Sequence, residues 1–598
     1  MGERRDRYSQ QQRRSRFNEP KKRWIGCLSL IALGCLAALL TVDPPSWAKT
    51  TKQQWTDSSG PFGFKGETAT GKHGAVAVET KECSTVGVEI LRQGGNAVDS
   101  AIASALCIGV MNSFATGIGG GGFMLIRSPN GTYEFIDFRE TAPQAASQDM
   151  YKDDPMLAQR GGLAVAVPGE IRGFEMAHKR HGVLPWEKIF EPAIKVAREG
   201  FKTPDYLHEK LKKHEEWLLE KPEWASVYAP NGYVVRPGDI VKRPALAVTL
   251  QTIATEGPDA FYEGPIAEAM VKRVRETGGI LTLEDLRGYK PLIRPTVHTY
   301  YHGRKITTCT APTSGQVLVS MLNLLERYNL PVLGKIGVNI HRMAEAMKFG
   351  YAFRTEFGDP DFTHLDARYE QVASKDWADE VRGNLTDNET HDPLYYNPKY
   401  DHISNHGTMH LSVVDSNEGA VALTSTVNLM FGSRVIDPVT GIILNDEMDD
   451  FSIPGVPNDF GLYPSADNYI APGKRPLSSI TPVIVEQDGH FELALGGSGG
   501  SQIATASLNV LLNVLDFGME LYDAVESPRL HHQLMPNRAS LELGFDRALT
   551  EQLVQRNHKI YWLTRNDTVS AVQAVQRLPD GTVQAASDPR KYGLGAAY

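Results

Sequence analysis

The sequence predicts a large globular protein of the mixed α/β (α+β) class, and three observations support that prediction. The chain has 598 residues, which is long enough to bury a sizeable core. Its composition, with 41% hydrophobic and 22% charged residues, is that of an ordinary globular protein and excludes collagen-like, disordered and small disulfide-built proteins. From Gly74 onward, helical and strand-like patterns follow one another without an internal repeat.

The distribution of charge separates a short tail from the body of the protein. Residues 1–23 hold 9 Lys/Arg and 3 Asp/Glu, whereas the remaining residues hold 53 and 68. An acidic body has no general attraction for phosphates, so we expect no nucleic-acid partner. Residues 24–42 carry no charge and are long enough to cross a hydrocarbon core of roughly 30 Å as a helix.

The N-terminal region therefore predicts a cytoplasmic basic tail at residues 1–23, a signal-anchor transmembrane segment at 24–42 and a polar linker at 43–71. The body would then lie on the extracytoplasmic side, outside the cell or in the vacuolar lumen. Two alternatives stay open. A signal peptide cleaved near Ala48 would give a secreted protein, because small residues precede that point, and a buried soluble helix would give no membrane contact at all.

The body carries helical and strand-like patterns in the following order. Helices are predicted at 84–110, 169–182, 186–199, 206–220, 243–255, 263–277, 314–327 and 338–354. Strands are predicted at 75–79, 122–127, 133–137, 411–415, 420–428, 482–487 and 492–496. Residues 355–407 are polar with poor periodicity, and they predict an exposed connection that ends where a clean strand pattern begins.

The first helical region predicts two antiparallel helices, at 84–93 and 96–108, joined by a glycine turn. This hairpin would bring Cys83 and Cys107 side by side, and a disulfide between them fits oxidising conditions. Two small buried thiols fit the same geometry equally well. No role is assigned to Cys309.

Four sequences of the form Asn-x-Thr are glycosylation acceptors in a protein that faces an extracytoplasmic space. A chain of this length contains a few of them by chance. They begin at Asn130, Asn384, Asn388 and Asn566.

Two neighbouring strand patterns, 408–415 and 420–428, are separated by a short turn and predict a β-hairpin. With a three-residue loop, Thr408 faces Thr426, and Asn428 is the next neighbour on the same face. A shift of one residue would remove this alignment. The predicted register therefore collects hydroxyl groups at the open end of the hairpin.

Thr408 is a candidate nucleophile only under one condition. A threonine inside a chain is a poor nucleophile, because its hydroxyl is not ionised at neutral pH. If the preceding peptide bond is cut, the freed α-amine, with a pKa of about 7.7 to 8, becomes a base on the same residue. Gly407, which has no side chain, lets the Thr408 hydroxyl approach the preceding carbonyl. The alternative is an ordinary threonine that opens a strand.

Three further segments favour a catalytic site. Residues 445–451 place four carboxylates within five positions, and a substrate ammonium fits them better than a metal, because the spacing is not that of a calcium loop. Residues 474–479 end in two serines suited to a carboxylate. Residues 496–501 expose backbone N–H groups that suit an oxyanion and lack the spacing of a nucleotide-binding loop. The glycine run 117–122 lacks that spacing too and predicts close backbone packing.

Taken together, these motifs resemble the γ-glutamyltransferase (glutathione hydrolase, γ-glutamyltranspeptidase) family of the eukaryotic type. The resemblance covers residues 71–598. It rests on GTMHLSVV at 407–414, TSTVN at 424–428, NDEMDDF at 445–451, PLSS at 476–479 and the pair Gly499–Gly500. Because this family consists of N-terminal nucleophile hydrolases, the resemblance implies a four-layer αββα sandwich formed from two chains after self-cleavage.

The resemblance implies that the chain cuts itself between Gly407 and Thr408. A large subunit, 72–407, and a small catalytic subunit, 408–598, would then form a heterodimer. Thr408 would be the nucleophile. The other implied roles are support of its amine by Thr426, an oxyanion hole at Gly499 and Gly500, binding of the substrate α-carboxylate by Arg139, Ser478 and Ser479, and binding of the substrate α-amine by Asn428, Glu447 and Asp450. The Cys83 and Cys107 pair also resembles the eukaryotic branch, and His410 is interpreted as a packed or hydrogen-bonded neighbour.

The implied reaction is release of the γ-glutamyl group of glutathione and γ-glutamyl conjugates through a Thr408 acyl-enzyme. Water, an amino acid or a peptide then accepts the group, without a metal or cofactor. One alternative is a related glutaryl- or cephalosporin-type acylase, which has no need to bind an α-amine. The other is an uncut, inactive, membrane-anchored binding protein.

Overall fold

The computed structural model describes residues 64–401, 407–564 and 570–598. The chain divides into two units, Met1–Gly60 and Pro61–Tyr598. The predicted tail at 1–23, the predicted anchor at 24–42 and most of the linker lie outside the described residues, as does Asn566. Among the helices of the described residues, none is both long and apolar enough to cross a membrane.

The described residues contain strands that we number in chain order. They are β1 Ala69–Gly71, β2 Ala75–Ala77, β3 Gly121–Arg127, β4 Tyr133–Phe138, β5 Phe201–Lys202, β6 Ile240–Val241, β7 Leu292–Arg294, β8 Thr296–Tyr301, β9 Arg304–Cys309, β10 Met409–Val414, β11 Ala420–Thr426, β12 Val435–Ile436, β13 Ile443–Leu444, β14 Val483–Gln487, β15 His490–Ser498, β16 Leu530–His531, β17 Ala539–Glu542, β18 Ile560–Leu563, β19 Ala571–Arg577, β20 Val583–Ser587 and β21 Ala596–Ala597.

The α-helices are numbered in the same way. They are α1 Lys81–Arg92, α2 Ala97–Met111, α3 Glu170–His181, α4 Trp186–Glu199, α5 Asp205–Lys213, α6 Glu215–Glu220, α7 Pro222–Tyr228, α8 Pro244–Glu256, α9 Asp259–Tyr262, α10 Gly264–Glu276, α11 Leu283–Gly288, α12 Gly315–Glu326, α13 Leu330–Leu333, α14 Gly337–Arg354, α15 Pro360–Thr363, α16 Asp366–Val372, α17 Lys375–Arg382, α18 Ile503–Leu515, α19 Leu521–Glu526 and α20 Arg547–Gln555.

Two seven-stranded sheets form the centre of the body. One has the strand order β1-β20-β19-β15-β14-β9-β8 and the other β21-β2-β10-β11-β3-β4-β7. Their inner faces meet in an apolar layer that includes Phe123, Leu125, Ala422, Ile484 and Val575. Helices α1–α11 pack on the outer face of the second sheet, and helices α12–α14 and α16–α20 pack on the outer face of the first. The order of layers is therefore helix, sheet, sheet, helix, and the predicted αββα sandwich is confirmed.

The two predicted subunits are interleaved in this sandwich. The sheet that contains β10 and β11 also contains β2, β3, β4 and β7, which precede residue 408. The other sheet pairs β9, which precedes residue 408, with β14, which follows it. A cut before residue 408 would therefore leave two fragments that share both sheets and both core layers, so neither fragment buries a complete core by itself.

The helical hairpin near the N-terminus of the body forms as predicted. Asn96 caps α2, because its side chain accepts from Val98 N and Asp99 N. The turn brings Cys83 and Cys107 to a Cα–Cα distance of 5.5 Å, and the two sulfurs are bonded. The structure thus contains the predicted disulfide, which joins the two helices at the end of the hairpin opposite to the turn.

The glycine run before β3 serves close packing, as its sequence predicted. A Cβ atom on Gly120 would lie 2.0 Å from the carbonyl oxygen of Thr426, and one on Gly122 would lie 2.0 Å from that of Thr424. Since real Cβ atoms do not approach so closely, only glycine lets β3 lie against β11 here.

One sequence-based prediction is wrong in part, and several strands were missed. The exposed connection predicted at 355–407 is wrong in part, because it contains α15, α16 and α17. The last of these helices, α17, is capped by Ser374 and buries Trp377 and Val381, which are four residues apart. This apolar pattern is too short to be recognised among the charged residues around it. Seven strands of the two central sheets have no counterpart among the predicted strands: β1, β7, β8, β9, β19, β20 and β21. In β19 the polar Gln573 is fully buried, which breaks the apolar pattern expected of an inner strand.

Candidate active site

The hairpin of β10 and β11 places the predicted nucleophile. Met409 pairs with Ser425 and Val414 with Ala420 in one unbroken register. One further step along this register brings Thr408 opposite Thr426, as the sequence predicted. The hydroxyl of Thr426 accepts a hydrogen bond of 2.8 Å from Asn428 N, so the end of β11 is tied to the turn that follows it.

The backbone at the predicted cleavage point adopts a conformation that β-branched residues avoid. Gly407 has φ of 104° and Thr408 has φ of 129°. A Cβ atom on Gly407 would lie 1.6 Å from the carbonyl oxygen of Asn428, so no other residue fits there. Gly407 adopts this backbone without cost, whereas Thr408 is strained, and Thr408 directly follows the peptide bond of the predicted cleavage site.

A lysine that sequence analysis did not single out holds the carbonyl of the predicted nucleophile. Lys591 Nζ donates to the carbonyl oxygen of Thr408 at 2.9 Å. The same amine donates to Ser498 Oγ at 2.7 Å and pairs with Glu79 at 2.6 Å. Lys591 lies 183 residues from Thr408 in the sequence, at the other end of the small fragment, so no local pattern could have linked the two residues.

The buried guanidinium of Arg139 contacts two predicted substrate-binding acids. It forms ion pairs with Glu447 and Asp450, and its Nη2 donates to the carbonyl oxygen of Leu477 at 3.2 Å. Burial alone would lower the pKa of Arg139, but the negative charges of Glu447 and Asp450 outweigh it and raise that pKa. Arg139 therefore stays charged although it is buried.

The acid-rich segment folds as a short 3₁₀ helix, Glu447–Asp450, at the base of the site. Burial raises the pKa of Glu447 well above its ordinary value, and the charge of Arg139 opposes that shift. Burial also raises the pKa of Asp446, whose carboxylate accepts from Leu429 N at 2.9 Å. Its backbone carbonyl accepts from the side chain of Asn428 at 3.1 Å, so the acidic segment positions that amide.

The two predicted serines are held by different partners. Ser478 Oγ accepts from Ile480 N at 3.2 Å. Ser479 Oγ accepts from Nη2 of the buried Arg354 at 2.7 Å. Because each oxygen is used as an acceptor, the hydroxyl proton of each serine is left to be donated elsewhere. Arg354, at the end of α14, is a second residue of the site that sequence analysis missed.

The predicted oxyanion residues follow β15. Gly499 and Gly500 have φ of 116° and 58°, and Gly500 begins a short 3₁₀ helix that leads into α18. Glycine at both positions permits this left-handed backbone, which other residues rarely adopt.

One small cavity collects nearly all the predicted residues, with a volume of about 10 Å³. Gly499 is the exception, since it adjoins a lining residue in the chain but does not line the cavity. The predicted residues that line it are Arg139, Gly407, Thr408, Thr426, Asn428, Glu447, Asp450, Ser478, Ser479 and Gly500. The cavity thus brings the predicted nucleophile together with groups suited to an anion and groups suited to a cation.

His410 and Cys309 lie away from this chemistry. His410 Nδ1 is 2.7 Å from Thr424 Oγ1 and its Nε2 is 3.1 Å from Ser412 Oγ. Burial lowers the pKa of His410 to about 3, so it stays neutral and packed, in agreement with its sequence-based interpretation. Cys309 is a buried free thiol between the sheets, and burial raises its pKa.

Within the described residues, one group of side chains has the composition of a metal site. His341, Glu345 and His558 bring their ligand atoms within 4.8 Å of one another. His341 Nδ1 already lies 2.8 Å from His558 Nε2 in a hydrogen bond, and Thr390 donates to Glu345 at 2.6 Å. The amine of Lys348 donates to the same Thr390, which brings a positive charge close to Glu345. A buried dication would add to that positive charge, so we assign no metal here.

Comparison with known proteins gives one consistent family. The Gamma-glutamyltranspeptidase family model matches residues 83–598. Glutathione hydrolase proenzyme 1 of Schizosaccharomyces pombe is 46% identical over 535 residues, which cover 88% of this chain and 85% of that protein.

Two solved structures share the fold. Cephalosporin acylase from Bacillus halodurans aligns with a TM-score of 0.79 and 25% identity, over 91% of this chain and 99% of that one. The Helicobacter pylori gamma-glutamyltranspeptidase structure aligns with a TM-score of 0.51 and 34% identity, over 52% of this chain and 92% of that one.

Proposed function

The chain belongs to the gamma-glutamyltranspeptidase family, and from this premise we propose how its own residues cleave the γ-glutamyl bond of glutathione. The enzyme is a γ-glutamyl acyltransferase and glutathione hydrolase of the N-terminal nucleophile type. The observation that supports the residue roles best is the cavity, which combines the Thr408 hydroxyl with one binding face for an α-carboxylate and one for an α-amine.

The first proposed step is self-cleavage between Gly407 and Thr408. The Thr408 hydroxyl attacks the carbonyl of Gly407, and the amide bond becomes an ester that water then hydrolyses. The positive φ of Thr408 favours this step, because cutting the bond before Thr408 relieves the strain at that residue. The products are the fragment that ends at Gly407 and the small subunit 408–598, which stay together because they share both sheets.

The second proposed step is recognition of the γ-glutamyl group. Arg139 and the free hydroxyl protons of Ser478 and Ser479 bind its α-carboxylate. Glu447, Asp450 and the Asn428 side chain bind its α-amine. In the structure Arg139 pairs with Glu447 and Asp450 directly, so a zwitterionic head group would enter between opposite charges and replace that pairing with its own two charges.

The third proposed step is acyl transfer. The freed α-amine of Thr408 takes the proton of its own hydroxyl, and the oxygen attacks the γ-amide carbonyl. The oxyanion forms against the N–H groups of Gly499 and Gly500, and the amine of the leaving group departs with the proton. Water or the amine of an amino acid or peptide then attacks the ester and frees the Thr408 hydroxyl. Thr426 and Lys591 position the nucleophile from its two sides.

A related acylase is the second candidate, and the cephalosporin acylase neighbour favours it on fold alone. The acids near Arg139 favour a γ-glutamyl substrate. An acyl group that has a carboxylate and no α-amine would compete for Arg139 without offering Glu447 and Asp450 a cation in return. A pair of substrates separates the two candidates. We expect γ-glutamyl amides to be cleaved and the matching glutaryl amides, which lack the α-amine, to react far more slowly.

We also propose that residues 24–42 anchor the protein in a membrane, with the catalytic body in an extracellular or vacuolar space. The uncharged run and the basic residues before it support this topology. The disulfide between Cys83 and Cys107 fits an oxidising compartment, and the exposed acceptor Asn130 would be open to glycosylation there. Alkaline extraction of membranes tests the anchor, since an anchored body stays with the membrane and a secreted body does not.

The experiment that tests the proposed function is a γ-glutamyl release assay on the purified protein, paired with N-terminal sequencing of its fragments. We expect glutamate release from glutathione and a small fragment that begins at Thr408. A full-length uncut chain without activity would support the inactive binding protein instead.

A further inference from the structure

A second, much larger cavity opens beside the candidate active site. It is a cleft of about 810 Å³, within the range of about 300–1,000 Å³ typical of ligand pockets. Leu429 lines this cleft and directly follows Asn428, and Gln502 lines it two residues after Gly500. The cleft therefore starts next to both the amine-binding and the oxyanion positions, on the side where a leaving group or an acceptor has room.

The cleft carries an excess of positive charge on a body that is acidic as a whole. Its lining has two acids, Asp401 and Asp459. It has five cations, Arg160, Lys210, Lys213, Arg434 and Arg538. Two histidines, His214 and His531, also line the cleft. Burial is the main cause that lowers the pKa of each to about 4, so neither adds charge at neutral pH.

The five cations have no carboxylate within ion-pair distance among the described residues 64–401, 407–564 and 570–598. Three of them instead lie over aromatic rings: Arg538 at 3.8 Å from the ring centre of Tyr561, Lys210 at 4.3 Å from that of Tyr206 and Arg434 at 4.8 Å from that of Trp217. The pKa of His214 is lowered mainly by burial and, in addition, by the charges of four of these cations, Arg434, Lys213, Lys210 and Arg160. These cations therefore lie close enough to act together on one side chain. Uncompensated like charges in a cleft attract anions.

On this basis, and resting on the proposed function, we propose that the cleft selects anionic leaving groups and acceptors that are larger than the dipeptide released from glutathione. The substrate class is γ-glutamyl compounds with a further carboxylate beyond the one of the terminal glycine, and acidic peptides as acceptors. The γ-glutamyl head itself binds in the small cavity. The charge preference of the cleft therefore acts only on the leaving group or the acceptor, on the other side of the scissile bond.

The test compares two donors of nearly equal size that differ by one charge. They are glutathione alkylated on sulfur with a carboxymethyl group and glutathione alkylated with the neutral carbamoylmethyl group. We expect kcat/KM to favour the acidic donor by about 5-fold at low salt, the size of one partly screened ion pair. The preference should shrink toward equality at about 1 M salt, where the Debye length is only about 3 Å. Glycylglutamate and glycylglutamine provide the same comparison between acceptors.

The variants are the double substitution Arg160→Gln and Arg538→Gln and, as the matched control, Lys272→Gln. Arg160 and Arg538 are exposed in the cleft, so their loss does not remove a buried contact. Lys272 is exposed on α10 and does not line the cleft. We expect the double variant to lower the acid-to-neutral ratio toward 1 and the control to keep the ratio of the unaltered enzyme.

The outcomes separate the two levels of the proposal. If both donors are cleaved at equal rates at low salt, or if the double variant keeps the full preference, the charge selection is wrong and the proposed function stands. If neither donor releases glutamate, the proposed function itself is wrong, and the cleft proposal falls with it. A preference that salt and the double variant both remove supports the cleft as the anion-selecting site.

Discussion

The small cavity at Thr408 and the wide cleft beside it differ in how their positive charges are paired. In the cavity of about 10 Å³ the guanidinium of Arg139 is buried and paired with two carboxylates. In the cleft of about 810 Å³ the cations have no acidic partner among the described residues. Paired and buried charges fix one orientation of one zwitterion, whereas unpaired charges in an open cleft attract many anions without fixing their orientation.

This difference in charge pairing indicates which half of the substrate each region would bind. A narrow site whose cation is paired suits the proposed binding of the half that all substrates share, which is the γ-glutamyl head. A wide, cationic cleft suits the proposed binding of the half that varies, which is the leaving group or acceptor. Substitutions in the cavity should therefore abolish or strongly weaken the reaction, and substitutions in the cleft should change preference among substrates.

The largest effect is expected from Thr408→Ala. Without the hydroxyl, neither self-cleavage nor acyl transfer has a nucleophile, so the chain should stay uncut and γ-glutamyl release should fall by at least about 10³-fold. A denaturing gel and a release assay measure both results. Thr408→Ser is the matched control, because it keeps a hydroxyl and should retain slower cleavage. Fragments in the alanine variant would show that another residue cuts the chain.

The next effect is expected from Arg139→Gln. Loss of the charge-assisted bonds to the α-carboxylate should raise KM for glutathione by about 100-fold. The substitution also leaves Glu447 and Asp450 buried without their cation, which should lower the free energy of unfolding by about 3–5 kcal/mol. Kinetics and thermal unfolding measure the two results, and Arg139→Lys, which keeps the charge, should recover part of the stability. An unchanged KM would remove Arg139 from the binding site.

A substitution remote from both regions should change stability alone. Replacing Cys83 and Cys107 together by alanine removes a crosslink between residues 24 apart, which should cost about 3 kcal/mol of unfolding free energy. Because the bond lies in the outer helical layer, activity per folded molecule should stay the same for both acidic and neutral donors. A changed ratio of kcat/KM between the acidic and the neutral donor would show that the helical hairpin affects the cleft.

The smallest effect is expected from Glu170→Gln, and it depends on pH. Burial raises the pKa of Glu170 from 4.5 to about 8, so between these values the folded protein holds a proton that the unfolded chain has released. The stability from this group is complete below about pH 4.5 and is lost as the pH rises through about 8. Glutamine cannot ionise, so its unfolding temperature relative to the unaltered enzyme should rise from pH 5 to pH 9. A constant difference would show that Glu170 is ionised in the folded state.

Sequence reasoning predicted the parts of the fold and site that follow a local pattern. The register that places Thr408 opposite Thr426 follows from strand alternation and the length of one turn, and the hairpin of α1 and α2 follows from its glycine stop and its cap. These features depend on residues that are close in the chain.

The missed parts depend on contacts between distant residues. Lys591 reaches Thr408, and Arg354 reaches Ser479, only because the sandwich folds those segments together. The cleft is another case, since Arg160 and Arg538 lie on opposite sides of residue 408 in the chain and share one surface only after folding. The family resemblance supplied the roles of the cavity residues, but it contained no information about the cleft.

The central claim is that Thr408, freed by self-cleavage, carries the γ-glutamyl group. Intact-mass analysis of the purified enzyme, denatured during turnover of a slow γ-glutamyl donor, tests this most directly. We expect two fragments, with the one that begins at Thr408 heavier by one γ-glutamyl group and the other unchanged. A single uncut chain, or a γ-glutamyl group on the fragment that ends at Gly407, would contradict it.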